Sequence, residues 1–305
     1  MQKILTVISI LALLSTGGLG AMNSSDAGSA AAQFLKLGAG ARAEGMGDAF
    51  VAVCDDATAI YWNPAGLNRI QGRSLSVMHA VWFEDISYDW ISYAQKAGNT
   101  GACGVGVQYL SYGSIPARDD TGLERGSFNP DDLAVSLSYA RSIQGFALGI
   151  NAKYISSRIQ NSACALAGDI GVQHSMAHGR LSLGLAIQNI GTPMKFIDAA
   201  DPLPGNIKLG AACLIHNNWT AALDINAPVD NAVTLGAGTE YRYVIDATMT
   251  AAGRVGYNTR ARDTGGVNGI SAGFGFSYLC YSIDYAFVPY GDLGNTHRIS
   301  LSITF

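Results

Sequence analysis

The stretch from Thr296 to Phe305 reads THRISLSITF, with Ile299, Leu301, Ile303 and Phe305 in one phase and Arg298, Ser300, Ser302 and Thr304 in the other. Successive side chains of a strand point to opposite faces, so this segment has one apolar and one polar face. A barrel stave set between lipid and a wet lumen needs that pattern. The same period recurs upstream. Leu133, Val135, Leu137 and Tyr139 alternate with Ala134, Ser136, Ser138 and Ala140, and Phe146, Leu148, Ile150, Ala152 and Tyr154 alternate with Ala147, Gly149, Asn151 and Lys153. Leu181 to Gln188 and Tyr281 to Phe287 repeat it. Between Ser74 and Phe305 such segments number about fourteen, an even count of the kind bacterial barrels use.

The other end of the chain agrees with a barrel of the outer membrane. Lys3, an apolar run from Ile4 to Leu14 and the small residues Gly17, Gly18, Gly20 and Ala21 read as a secretory signal spanning residues 1–22. That run is short of the roughly 20 residues that a helical span needs. The chain is 49% hydrophobic and only 14% charged, against about 25% charge in soluble domains. Hydrocarbon tolerates only structures that satisfy every backbone polar group internally, which leaves a closed barrel. The net charge of -4 comes without a basic block, so nucleic acid is not an expected partner. Cys54, Cys103, Cys164, Cys213 and Cys280 are scattered without metal spacing, and read as small apolar fillers or as one bridged pair.

Connections between the alternating segments fall into two classes. Gly113 to Asp132, Gly191 to Gly205, Thr259 to Asn268 and Pro289 to Asn295 are long or rich in Pro and Gly, whereas Met176 to Gly179, Asn217-Asn218 and Tyr243 to Asp246 are short. Long outer loops and short periplasmic turns place both mature chain ends in the periplasm. Lys153, Asp169, Asp224, Glu240, Arg242, Arg254 and Asp284 occupy the polar phase and are expected to face the lumen, as an open conduit or as a closed ion-pair network. A soluble sandwich also alternates, but Gly149, Gly184, Gly236, Gly238, Gly273 and Gly275 stand where its charged outer face would be. Trp82, Phe83, Tyr109, Tyr112, Tyr241, Tyr243 and Tyr278 near strand ends are read as aromatic girdles.

Several strings imitate chemistry. Gly38 to Ala43 matches a dinucleotide fingerprint, but no strand precedes it. Gly269-Ile-Ser271-Ala-Gly273, with His297 downstream, matches a nucleophile elbow, yet Ser271 sits inside a continuous strand pattern. His174 and His178 are four apart across a turn, and the pairs Asp55-Asp56, Asp119-Asp120 and Asp131-Asp132 lack the ligand periodicity of a calcium loop. No catalytic constellation, metal site or cofactor is expected.

The block before the strands carries the most information. It runs GAGARAEGMGDAFVAVCDDATAIYWNPAGL from Gly38 to Leu67, and closely resembles the N-terminal segment of the FadL-like outer-membrane superfamily, including the Asn63-Pro64-Ala65 element. The tail from Asp284 through Pro289, Asp292, Asn295 and His297 resembles the PorV/PorQ branch. The resemblance implies an all-β, transmembrane, antiparallel barrel, monomeric, with residues 23–72 as a luminal plug and 73–305 as the barrel. Arg42, Gly45, Gly47, Asn63, Pro64 and Ala65 form its plug motif; a periplasmic leader is the alternative. Physically, Gly allows tight turns in a crowded lumen, Pro64 drives Asn63 to an extended conformation, and Arg42, Glu44, Asp55 and Asp56 offer charge to the staves. Two functions remain open: a type IX secretion accessory that handles exported proteins, or a passive transporter of hydrophobic small molecules. A loop with Arg118, Asp119, Asp120, Glu124 and Arg125 is the candidate partner-binding surface, or a solvated lid. Phe305 is read as the signal for the barrel assembly machinery, and lipid of the outer membrane is the surrounding partner.

Overall fold

The computed structural model describes residues 27–84, 86–98, 101–261 and 269–305. The signal peptide of residues 1–22, the first residues of the plug segment and most of the Thr259 to Asn268 connection lie outside them. Fourteen antiparallel staves close into one ring. They are β1 (Arg73–Val81), β2 (Ser87–Ala97), β3 (Gly101–Ser111), β4 (Asp131–Ile143), β5 (Phe146–Arg158), β6 (Ser162–Met176) and β7 (Leu181–Gly191). The other half comprises β8 (Asn206–His216), β9 (Trp219–Pro228), β10 (Thr234–Val244), β11 (Met249–Asn258), β12 (Ile270–Tyr278), β13 (Tyr281–Pro289) and β14 (Asn295–Thr304). Each stave is long enough to cross hydrocarbon at a tilt, which takes about 9 to 11 residues. None of the helices among the described residues is long and apolar enough to do so.

Alternation sets the two faces. Leu137, Ile150, Leu166, Val255, Phe274, Ile283, Ile299 and Leu301 are more than half exposed on the outside, which only a lipid-facing surface explains. On the inside, Lys153, Asp169, Asp224, Glu240, Arg254 and Asp284 are buried, as the polar phase predicts. Arg242 shares that face but is exposed near the periplasmic end of β10. Tyr109, Tyr241, Tyr243 and Tyr278 point outward near stave ends, joined by Trp219 and Tyr281. Trp82 and Tyr112 depart from the girdle reading, because both pack against the buried core. Trp82 contacts Phe83 and Tyr290 in an edge-rich aromatic cluster instead.

The lumen also differs from a uniformly polar one. In β1 to β3 the inward residues Met78, Ala80, Tyr88, Trp90 and Leu110 are apolar and buried. They pack with Phe34, Leu35, Phe50, Ile60, Trp62 and Leu67 of the N-terminal segment, each large side chain contributing about 1.5 to 3 kcal/mol by leaving water. This segment runs lengthwise through the ring. Ala31 N donates to Pro202 O in an outer loop, and Lys36 pairs with Asp230 in another. Ala57 N bonds Ser74 Oγ near the periplasmic end, where Ile70 leads into β1. The described residues therefore begin near the outer mouth, and the mature N-terminal end expected in the periplasm lies outside them.

The ring closes between β1 and β14, from Ser74 opposite Thr304 to Val81 opposite His297. Arg73 N donates to Phe305 O at 2.7 Å and Phe305 N returns a bond to Arg73 O at 2.9 Å. The Phe305 ring stays exposed on the lipid side with the Arg73 guanidinium 5.8 Å above it. Phe305→Asp places a charge on that seam and is expected to reduce the assembled barrel several-fold, with Phe305→Trp close to wild type. The heat-modifiable band on gels of isolated membranes measures it; equal assembly of all three chains would remove the seam from the explanation.

Candidate functional site

The luminal segment is held by side chains from most of the ring. Arg42 reaches Glu240 on β10, Nε to Oε2 at 2.9 Å, and Asp55 within the segment at 2.7 Å. Glu240 is buried and also takes Arg254 Nε at 2.7 Å and Arg242 Nε at 2.8 Å, while Arg254 continues to Asp284 at 2.6 Å. Glu44 pairs with the fully buried Arg298 of β14. Asp224 Oδ2 accepts from the backbone N–H groups of Phe50 and Val51 at 2.8 and 2.9 Å. Lys153 joins Asp169 and Asn189, both at 2.8 Å, and Asn151 ties Asp169 to Ile60 O. This last cluster spans the mid-wall irregularity between β6 and β7 at Gly168/Ile170.

The motif residues fall together as the segment requires. Asn63 is extended (φ -162°, ψ 106°), as the residue before a proline should be, and its side chain caps the 3₁₀ turn Pro64–Arg69 by accepting from Ala65 N. Its amide donates to Val51 O and to Val172 O of β6, both at 3.1 Å. Pro64 and Ala65 lie against Gly149, Gly45 against Gly273, and Gly47 against Tyr257 and Ala237. The stave glycines have a direct meaning here. A side chain at Gly149, Gly184, Gly236 or Gly238 would collide with the backbone of Ala65, Val51, Gly47 or Met46. They are the footprint of the segment on the inner wall. Sequence reading missed Lys208 and Arg298, whose partners Trp62 and Glu44 lie far away in the chain.

The candidate loop forms a small hairpin above the rim, Ile115–Arg118 against Glu124–Phe128. Asp119 organises its tip. Its carboxylate accepts from Thr121 N, Thr121 Oγ1 and Leu123 N, and Arg125 Nε bonds it at 2.8 Å. Arg118 bonds Gly122 O, and Asp120 and Glu124 are exposed. The strings that imitate chemistry are dispersed. Ser271 Oγ accepts from Gly47 N, whereas His297 bonds the Tyr285 hydroxyl. His174 bonds Gly145 O and stacks on Phe146. Asp55 and Asp56 are not free turn acids, because both lie within reach of Arg42. The five cysteines are unbridged, and Cys54 is buried in the segment rather than on a stave.

Two cavities border the segment near the outer mouth. One is about 70 Å³, between Lys36, Tyr61, Trp62, Asn206, Lys208 and Arg260. The other is about 20 Å³, beside Glu44, Arg260 and Tyr290.

A family model described as type IX secretion system protein PorV matches residues 21–230. The chain belongs to the PorV family. Solved structures add the fold: the toluene transporter TodX of Pseudomonas putida superposes with a TM-score of 0.58 at 13% identity, covering 87% of this chain and 97% of that one. The CymD monoaromatic hydrocarbon channel gives 0.57 at 15% identity, with 87% and 96% covered. A FadL homologue of Pseudomonas aeruginosa gives 0.53 at 11% identity, with 84% and 96% covered. No curated protein sequence matches the chain. The protein is thus a closed barrel of the PorV family with the fold of these channels.

Two outcomes follow for this PorV-family barrel. Glu240→Gln leaves three arginines facing a neutral amide inside the wall and is expected to cost about 3 to 5 kcal/mol, as breaking a buried ion pair does; urea unfolding in lipid vesicles measures it. Asp119 is held at about 2 by hydrogen bonds from Thr121 and then Arg125, below its ordinary 3.8. A depressed carboxylate stabilises the hairpin above pH ~4 and loses that contribution as pH falls through 2. Hydrogen exchange at the Leu123 amide is expected to rise, relative to a stave amide, over that window and to be insensitive to pH there in Asp119→Asn.

Proposed function

We propose that this barrel is an accessory of type IX protein secretion, located in the outer membrane, that binds exported proteins at its outer face and works without catalysis. The filled lumen carries the reading. A cavity of about 150 Å³ is the size that accepts one benzene, whereas the cavity beside Lys208 is about 70 Å³ and lined largely by charged and amide side chains. The segment from Phe34 to Leu67 closes the pore, its apolar side against β1 to β3 and its charges against Glu240 and Arg298. Binding at the ends fits such a barrel better than passage through it. The PorV match supports the same assignment.

The hairpin Ile115–Phe128 is the proposed docking platform. Its tip is ordered by Asp119, and Asp120 and Glu124 remain exposed for a protein partner, where complementary charge sets specificity and encounter rate. Phe305 serves as the signal for the assembly machinery, and the barrel acts as a monomer in lipid.

Passage of hydrophobic small molecules is the second reading, favoured by the barrel shape shared with TodX and CymD. Pull-down of the tagged protein from membranes is expected to recover secreted proteins, and a variant lacking Ala117 to Arg125 to recover several-fold less. Recovery of none, together with a fall in toluene uptake in a deletion strain, would replace secretion by transport.

A further inference from the structure

The periplasmic ends of the staves are not alike around the ring. Three consecutive turns, joining β2 to β3, β4 to β5 and β6 to β7, are each flanked by one exposed cation: Lys96, Arg141 and Arg180. None of these side chains has a hydrogen bond or an ion pair among the described residues. No acid is close in the chain either, because residues 90–118, 133–168 and 170–197 contain no Asp or Glu. The acids of these staves are Asp89, Asp131 and Asp132 at the outer end and Asp169, paired with Lys153, in the wall. Asp55 and Asp56 of the luminal segment lie on Arg42, which reaches the opposite side of the ring at Glu240. The turns of the other half, β8 to β9, β10 to β11 and β12 to β13, instead present Trp219, Tyr243, Tyr278 and Tyr281, with Arg242 held by Glu240 and Asp246 taken by Thr248 and Met249. Exposed cations at the outer end are answered: Arg125 meets Asp119, and Arg158 meets Asp131.

We infer that the periplasmic rim from β2 to β7 binds the headgroups of anionic phospholipids in the facing leaflet. Arg141 continues the outward phase of Leu137 and Tyr139 at its periplasmic end, so its long side chain follows the lipid-facing wall to the level of the headgroups. Staves lie about 4.8 Å apart. Lys96 on β2 and Arg141 on β4 are thus roughly 10 Å apart along the rim, and Arg180 at the start of β7 roughly 15 Å further. No two of them can share one phosphate, and a row of separate headgroups meets each in turn. The guanidinium groups offer phosphate a paired hydrogen bond and the ammonium a point charge. Aromatic side chains of the other half sit at the interface whatever the headgroup charge, so preference for anionic lipid belongs to one side of the barrel. The inference rests on the lipid-facing wall and is independent of secretion or transport.

The test reconstitutes the full barrel in phosphatidylcholine vesicles, with spin-labelled phosphatidylglycerol or spin-labelled phosphatidylcholine as the probe. The immobilised fraction of each label gives its relative association with the wall. Wild type is expected to favour phosphatidylglycerol several-fold at low salt, and the preference to shrink as salt screens the rim. A variant combining Lys96→Gln, Arg141→Gln and Arg180→Gln is expected to take the two lipids equally. Arg141→Lys is expected to keep the preference, as is Arg158→Gln at the outer end. The three single Gln variants carry the test if the combined one does not assemble, each losing part of the preference. Equal association of both lipids with wild type would overturn the inference, as would an undiminished preference in the combined variant. Wild type that ignores phosphatidylglycerol but binds polyglutamate, with the combined variant binding none, would give the rim to an acidic periplasmic protein instead.

Discussion

Hydrocarbon offers no partner for a peptide N–H or C=O, so the wall of this protein exists only as a complete ring. The pairing of β1 with β14 is the condition for everything else. Without it two long stave edges would stand unpaired in lipid. With it, the period of two commits alternate side chains of every stave to the interior. That interior has to be filled or wetted, and the chain fills it with its own first forty described residues. The wall and its contents are therefore one packing problem. Stave glycines at 149, 184, 236 and 238 are as much a part of the segment's fit as Asn63 and Pro64.

The two sides of the lumen hold the segment by different physics. Against β1 to β3 the contact is apolar, with Trp90, Tyr88 and Met78 meeting Ile60, Tyr61 and Trp62. Against β8 to β14 it is electrostatic, through Asp224, Glu240 and Arg298. Buried ion pairs return little net stability, because removing charges from water opposes their attraction. Their value here is register: Arg42 on Glu240 and Glu44 on Arg298 tie the segment to the wall at two points and set its height in the ring. That height leaves Tyr61 and Trp62 beneath Lys208, with the outward cleft above them.

The staves were legible because alternation is a local property. Ile299, Leu301 and Ile303 declare their face without knowledge of their neighbours, and loop lengths declare which end is which. The segment was legible as a unit through its Gly and Asn-Pro-Ala signature. Its direction was not, because Ala31 meeting Pro202 and Lys36 meeting Asp230 are contacts between distant parts of the chain. The same distance hid Lys208 and Arg298, whose meaning lies in aromatic and acidic partners from the segment. Trp82 and Tyr112 misled for a related reason: an aromatic residue at a stave end sits at the interface only if it points outward, and these two turn in over the lumen.

A segment that runs from one mouth to the other inside a seamed ring is enclosed in a topological sense as well as an energetic one. It has no sideways exit unless β1 and β14 unzip. The order of events in folding follows from this. The segment is made before the staves, and the seam joins Ser74 to Thr304, the first stave to the last. Loop closure over such a separation is intrinsically slow, so the interior filler must wait, collapsed but unhoused, until the final stave arrives. Once the ring shuts, release of the segment through the wall requires opening of the entire wall, and its lifetime inside is set by the barrel rather than by its own contacts.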